Sequence, residues 1–410
     1  MTTASKTHSA HEKPGAPAPL LAPDGAPAIE DWSVDQSLRH LNHGSCGAVP
    51  RATQARQLQL RTEMESNPNR WFRGLPGRVA EARARIAAYL GADVTQVVAV
   101  PSASGGASVV YNSLALPRGA SIVVTDHCYG ALRMGAERLA RRSGAHVREV
   151  TVPLAADDAE VRSRIDAATD TSTALLIVDQ ISSATARAFP LPGIIEDAHA
   201  KGARVLVDAA HAPGAVDRPL EGSLADYWIG NLHKFACSPR GAAILFAQTE
   251  VMQELYPLID SWGTPEPYPA RFDRQGTIDV TAVLSAMESI DAIESRFRWR
   301  RVREYASDLM DYAHRRVIEA LSRQGEYEPD LRPESPARPM RIVALPPGVA
   351  DTADGATMLR ERLADAGFET AVNAWRGQGI LRLSAHVYNT ADDYDLFVER
   401  GLPVILAAGR

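Results

Sequence analysis

The sequence predicts an α/β fold, with a mostly parallel sheet covered by helices and a smaller α+β domain after it. Two observations carry this. Runs that are apolar almost throughout (Ser121–Thr125, 174–178, Arg204–Asp208, 227–230 and 242–246) alternate with stretches of helical spacing such as 130–142 and 194–201. Strands without a polar face must be covered on both sides, as helices cover a parallel sheet. The rhythm then changes toward the C-terminus. Strand-like 340–345 precedes helix-like 358–366, and strand-like 369–373 and 380–384 precede helix-like 392–406.

The remaining elements follow in order. Residues 1–30 are rich in Ala, Pro, Ser and Thr and read as a disordered arm. Residues 31–75 form an N-terminal segment that completes the small domain and the site. Val79, Ala82, Ile86 and Tyr89 recur at helical spacing and open a large domain over 76–290. Residues 259–274, rich in Pro and aromatics, read as a long ordered loop, and 281–316 as one or two long helices. The small domain takes 291–410.

Composition narrows the function. The chain has 410 residues, 45% hydrophobic and 23% charged, enough for a large core and more than one domain. A net charge of −6 offers no footprint for nucleic acid or an anionic membrane. Cys46, Cys128 and Cys237 form no CxxC pair, so neither a metal site nor a disulfide framework is expected, and a cytoplasmic location is. No run approaches the roughly 18 apolar residues of a membrane span, and no signal peptide is evident.

The chemistry gathers between residues 204 and 246. The strand Arg204–Asp208 ends in Asp208, followed by Ala209, Ala210 and His211. A later strand leads into Asn231-Leu232-His233-Lys234. A carboxylate at a buried strand end suits a pyridinium nitrogen, whose proton lets the ring accept electrons. A lysine desolvated nearby has a lowered pKa and can form an imine with an aldehyde. Upstream, 98–100 runs into Pro101-Ser102-Ala103-Ser104-Gly105-Gly106 and then a helix. Small residues at a helix start let amides reach an anion. In the strand 380–384, Arg382 can grip a carboxylate through two parallel hydrogen bonds. Neither GxxxxGK[ST] nor a helix-opening GxGxxG is present, which argues against a nucleotide-binding protein.

These motifs resemble the class V aminotransferase-fold enzymes, which are fold type I enzymes of pyridoxal 5′-phosphate (PLP), and in particular their isopenicillin N epimerase-like branch. The resemblance runs from Leu41 to about Tyr394. It rests on Leu41-Asn42-His43-Gly44-Ser45, on Asp208 through Gly214, on Asn231 through Lys234, and on Leu381 through Asn389. It implies a seven-stranded sheet and PLP as cofactor. By the same resemblance Lys234 carries the cofactor, Asp208 pairs with the ring nitrogen, and His211 lies near the phenolic oxygen. His233 and Asn231 face the phosphate, together with Ala103, Ser104 and Gly105. Either His127 or Tyr129 stacks on the ring, and Ser182 and Ser183 line its other edge. Gly276 and Thr277 resemble the loop that reaches a neighbouring subunit's phosphate, so a homodimer is implied. Arg382 takes the substrate carboxylate, with Asn42, His43 and Ser45 also on the substrate side.

The chain departs from the pattern in two places. Ser102-Ala103-Ser104 stands where the family usually has Asn-Ala-Thr, and Cys46 stands where the branch has Phe. A cysteine desulfurase needs a nucleophilic Cys shortly before the arginine, and residues 372–377 contain none. The expected reaction begins with proton removal at the α-carbon of an amino acid or its conjugate. The branch includes epimerases and lyases of specialised metabolism such as antibiotic biosynthesis. Our reading leans to β-elimination by a C–S lyase on a cysteine S-conjugate, with epimerisation and transamination as the alternatives.

Overall fold

The structure is a computed structural model and describes residues 15–323, 327–331, 333 and 335–409. The large domain is built on β1 (Val97–Val100), β2 (Ser121–Thr125), β3 (His146–Val150), β4 (Thr173–Asp179), β5 (Arg204–Asp208), β6 (Tyr227–Asn231) and β7 (Ala243–Ala247). Their spatial order is β1-β7-β6-β5-β4-β2-β3. Only β7 runs antiparallel to its neighbours, so the other six strands end on one edge of the sheet. Successive residues feed opposite faces: Leu206 packs in one core, Val205 and Val207 in the other. This two-sided burial is why the strands read as unbroken apolar runs. The strand β3 escaped that signal. It is the edge strand, mostly open to solvent, and its sequence HVREV is half polar.

The small domain carries a three-stranded antiparallel sheet of β8 (Met340–Ala344), β9 (Ala371–Trp375) and β10 (Gln378–Ser384), with β10 in the centre. The N-terminal segment joins it, because Arg39–His40 pairs in parallel with Phe368–Glu369. The expected long helices over 281–316 are three: Thr281–Leu284, Ala286–Phe297 and Trp299–Ser322. Arg298, at φ +67°, breaks the last two. The stretch 392–406 is also interrupted, by a π-turn at Phe397–Gly401. Pro403, just beyond it, has no N–H to continue the regular ladder.

One expectation needs correction. Residues 15–30 are not a disordered arm. Leu21 bridges Pro27, Ala28–Asp31 forms a 3₁₀ turn, and Ala22 and Ala28 are buried in the main core. Arg296 pairs with Asp31 and Asp24, fixing the segment to the helix Ala286–Phe297. Low hydrophobicity was misleading there, since a few residues suffice to anchor the segment: Ala22 and Ala28 are buried and Leu20 and Ile29 pack against the same core. Residues 1–14 lie outside the described residues. Among the described residues no helix is long and apolar enough to cross a membrane.

Candidate active site

The carboxyl ends of β1, β4, β5 and β6 open on a cavity of about 350 Å³. Its wall includes Ser102, Ala103, Ser104, Tyr129, Asp179, Ser183, Asp208, His211, Asn231, His233 and Lys234, and Gly44, Ser45 and Cys46 from the N-terminal segment. Placing ligands beyond the strand ends is what an open parallel sheet favours.

Lys234 sits in the turn after β6. Burial strips water from its ammonium and brings the pKa down to about 8, with Asp208 pulling it upward and Arg382 downward. Its Nζ lies 3.1 Å from His211 Nε2. That ring nitrogen is also 2.8 Å from the Gly44 carbonyl. Burial, then the charges of Lys234 and Arg382, hold the His211 pKa well below its ordinary value. Asp208 accepts the Ala210 amide at 3.0 Å, and burial raises its carboxyl.

The helix Ala103–Ser113 begins at the cavity wall. Ser102 caps it by accepting the Gly105 amide at 3.0 Å, and Asn231 Oδ1 accepts the Ala103 amide at 2.8 Å. Asn231 therefore ties the strand that leads into the lysine turn to a helix N-terminus, where amides and the dipole favour an anion. His233 adds a buried Nδ1 without a hydrogen-bond partner among the described residues. Burial, reinforced by Lys234 and Arg240, lowers its pKa to about 4.

Arg382, on β10, stands behind the wall. Its guanidinium donates to the Ser183 carbonyl at 2.5 Å, and to Asn42 Oδ1 and Ser45 Oγ at 3.0 Å each. Its Nε has no partner among the described residues. Burial lowers its pKa to about 10.

Several expected residues fall elsewhere. Between the two ring candidates, Tyr129 lines the cavity, whereas His127 is locked in the core. Its ring nitrogens meet Thr185 Oγ1 at 2.6 Å and the Val152 carbonyl at 2.8 Å. Ser182 joins the same chain, 2.6 Å from Thr185 Oγ1. His43 is fully buried behind the lysine backbone, off the cavity wall, and Asn42 reaches the site through Arg382 and through the Ser45 hydroxyl, which donates to Asn42 Oδ1 at 2.7 Å. Gly105 and Gly276 line a separate apolar cavity, and Thr277 is exposed beside Gly276. Asp179, which sequence reasoning missed, ends β4 just as Asp208 ends β5, so the same strand-end argument would have found it.

This site fits PLP. It combines an amine of lowered pKa, a buried carboxyl on the same wall, a capped helix N-terminus and an orphaned imidazole nitrogen. A lysine and a strand-end aspartate in one cavity of this sheet define a PLP-dependent enzyme of fold type I. The chain belongs to the class V aminotransferase family, whose pattern it matches over residues 50–397.

Curated relatives agree. The chain is 30% identical over 395 residues to an isopenicillin N epimerase of Streptomyces clavuligerus, covering 90% of this chain and 97% of the relative. It is 31% identical over 408 residues to that of Amycolatopsis lactamdurans, covering 93% and 98%. Among solved structures it is similar to an apo cysteine desulfurase of Thermococcus onnurineus NA1. There the TM-score is 0.77 and the identity 18%, over 95% of this chain and 100% of the other.

Proposed function

We propose that this enzyme binds an α-amino acid through Arg382, removes the α-proton with Lys234, and expels a β-substituent, as a C–S lyase on a sulfur-bearing conjugate. The observation that carries the α-carbon chemistry is the shared cavity of Lys234 and Asp208. Bound PLP supplies the sink for the electron pair left when the α-proton departs.

The chain's own groups do the rest. Asp208 would hold a proton on the cofactor's ring nitrogen, with His211 beside the phenolic oxygen. Asn231, His233 and the Ser102-Ala103-Ser104 helix start would bind the phosphate, and Tyr129 would cover one face of the ring. A pKa of about 8 leaves a usable fraction of Lys234 neutral near pH 7, as a general base requires. Arg382, already oriented by Ser45, Asn42 and Ser183, would fix the carboxylate and thereby aim the α-C–H bond. β-Elimination needs one base, and among the described residues Lys234 is the single lysine on the cavity wall.

Epimerisation is the second reading. The near-full-length likeness to two isopenicillin N epimerases favours it. Tyr129, a phenol on the cavity wall and 46% exposed, is the group that would return a proton to the other face.

We also propose a homodimer. Leu258, Ile259, Trp262 and Ile278 are exposed on the loop that carries Gly276, an apolar surface suited to a second copy. Sedimentation of the purified protein tests this, and a monomer at micromolar concentration would exclude it.

For the reaction, purified protein is mixed in D₂O with amino acids and cysteine S-conjugates and followed by mass spectrometry. Pyruvate release marks elimination, α-deuteration with configurational loss marks epimerisation, and a keto acid retaining the side chain marks transamination. Lys234→Ala should abolish all three. Turnover by that variant would remove the lysine from its role.

A further inference from the structure

The cavity holds a second carboxyl that the reading above does not use. Asp179 and Asp208 end neighbouring parallel strands and pair with each other in register. Registered residues on adjacent parallel strands point to the same face, about 4.8 Å apart. Both line the cavity, and they are only 2% and 5% exposed. Cys128, from the loop after β2, is kept a thiol by burial and by the two carboxyls. Tyr111, on the helix Ala103–Ser113, keeps its phenolic proton, through burial first and then Cys128 and Asp208. Lys234 is the cation acting on both carboxyls. Among the described residues one nearby cation thus faces two acids, and a second buried charge without a partner is costly.

We propose that Asp179 is a second, un-ionised acid of this site, which keeps its proton beside Asp208 so that the pair carries one negative charge, on Asp208. The inference rests on the ring-facing role proposed for Asp208. Burial first, then the charge of Asp208, pushes the Asp179 carboxyl well above its ordinary range. Asp208 is raised by burial alone, and the Ala210 amide and Lys234 draw it back down. The Ala210 amide, which donates to Asp208 at 3.0 Å, stabilises a carboxylate there, so the charge rests on Asp208 and the proton on Asp179. A neutral Asp179 can donate a hydrogen bond within the pocket, as a carboxylate cannot, and leaves the charge opposite the ring nitrogen undivided.

The test is a pH titration of the holoenzyme's visible absorbance, which reports protonation of the linkage between Lys234 and the cofactor. An ionised carboxylate several ångströms away raises that pKa by about one to two units at an effective dielectric near 20. Asp179→Asn removes no charge if the acid is neutral, so the titration should stay within about 0.3 unit of wild type. Asp208→Asn should lower it by about one unit or more. A comparable fall in Asp179→Asn overturns the proposal.

A second measurement uses wild-type holoenzyme. Its infrared spectrum should contain the carbonyl band of a protonated acid, shifting in D₂O and absent in Asp179→Asn and Asp179→Ser. A wild type without that band also overturns the proposal. Failure of the underlying reading looks different, because Asp208→Asn would then leave the absorbance titration unmoved while the infrared band persists.

Discussion

The imidazoles of His43 and His386 stack 4.4 Å apart at an interplanar angle of 13°, and each grips the backbone of the lysine turn. His43 Nε2 lies 3.1 Å from the Lys234 carbonyl, and His386 Nε2 lies 3.0 Å from the Phe235 carbonyl. A carbonyl only accepts, so both Nε2 atoms carry the proton. His43 Nδ1 then accepts from the Tyr388 hydroxyl at 2.6 Å. One ring comes from the N-terminal segment and the other from the small domain, so the turn that bears Lys234 is fastened from two directions.

These buried rings make the fold acid-sensitive. Burial lowers the His386 pKa to about 4 and holds His43 and His211 well below 6.5. A histidine depressed in the folded state binds its proton more readily when unfolded. Its stabilisation is therefore present above about pH 6.5 and lost as pH falls toward the folded value. The urea midpoint should drop between about pH 6.5 and 4, before most carboxylates titrate. His386→Asn should make that slope shallower, and an unchanged slope would remove His386 from the account.

Gly47 sits against the same turn. Its amide donates to the His233 carbonyl at 2.9 Å, and a Cβ there would press into the Lys234 carbonyl oxygen. Backbone cannot yield as a side-chain tip can. Gly47→Ala should cost on the order of 1–3 kcal/mol by chemical denaturation, by overpacking. A loss below about 0.5 kcal/mol, the range of a surface change, would show that the turn is looser than this geometry.

Arg382 makes a specific kinetic prediction. Its two terminal nitrogens are oriented by Ser183, Asn42 and Ser45, which a point-charge ammonium cannot reproduce. Arg382→Lys should raise KM by roughly ten- to a hundredfold, as expected for loss of a charged hydrogen bond worth about 1.5–3 kcal/mol. Ser45→Ala should raise it less. Steady-state kinetics check both, and unchanged KM in Arg382→Lys would exclude the carboxylate role.

Tyr129 is expected to act through its ring face. Tyr129→Phe should keep cofactor affinity, while Tyr129→Ala should weaken it roughly two- to tenfold, the worth of one aromatic stack. Equilibrium dialysis against PLP reads this directly. If the phenol also returns the proton in epimerisation, Tyr129→Phe loses racemised product without losing cofactor.

Cofactor capture by Lys234 should follow its lowered pKa. Only the free amine adds to an aldehyde, so the capture rate of apo-protein should rise about tenfold per pH unit below pH 8 and level above it. A rise continuing toward the ordinary lysine value of 10.5 would mean that the amine is solvated.

The sequence by itself determined the sheet and the chemistry-bearing motifs. Strands buried on both faces leave an unbroken apolar signature, and Asp208 and Lys234 follow such strands directly, so their place at the sheet's carboxyl edge could be read without coordinates. Tertiary structure alone decided what depends on distant segments meeting. It set His127 into the core and Tyr129 onto the cavity, because the Thr185 hydroxyl and the Val152 carbonyl, the latter as acceptor, engage both ring nitrogens of His127. It placed His43 behind the lysine, though the motif gave it to the substrate. It also brought Asp179 beside Asp208, since their two strands are separated in sequence by the helix Leu191–Ala200 and meet only when they pair in parallel in the folded sheet.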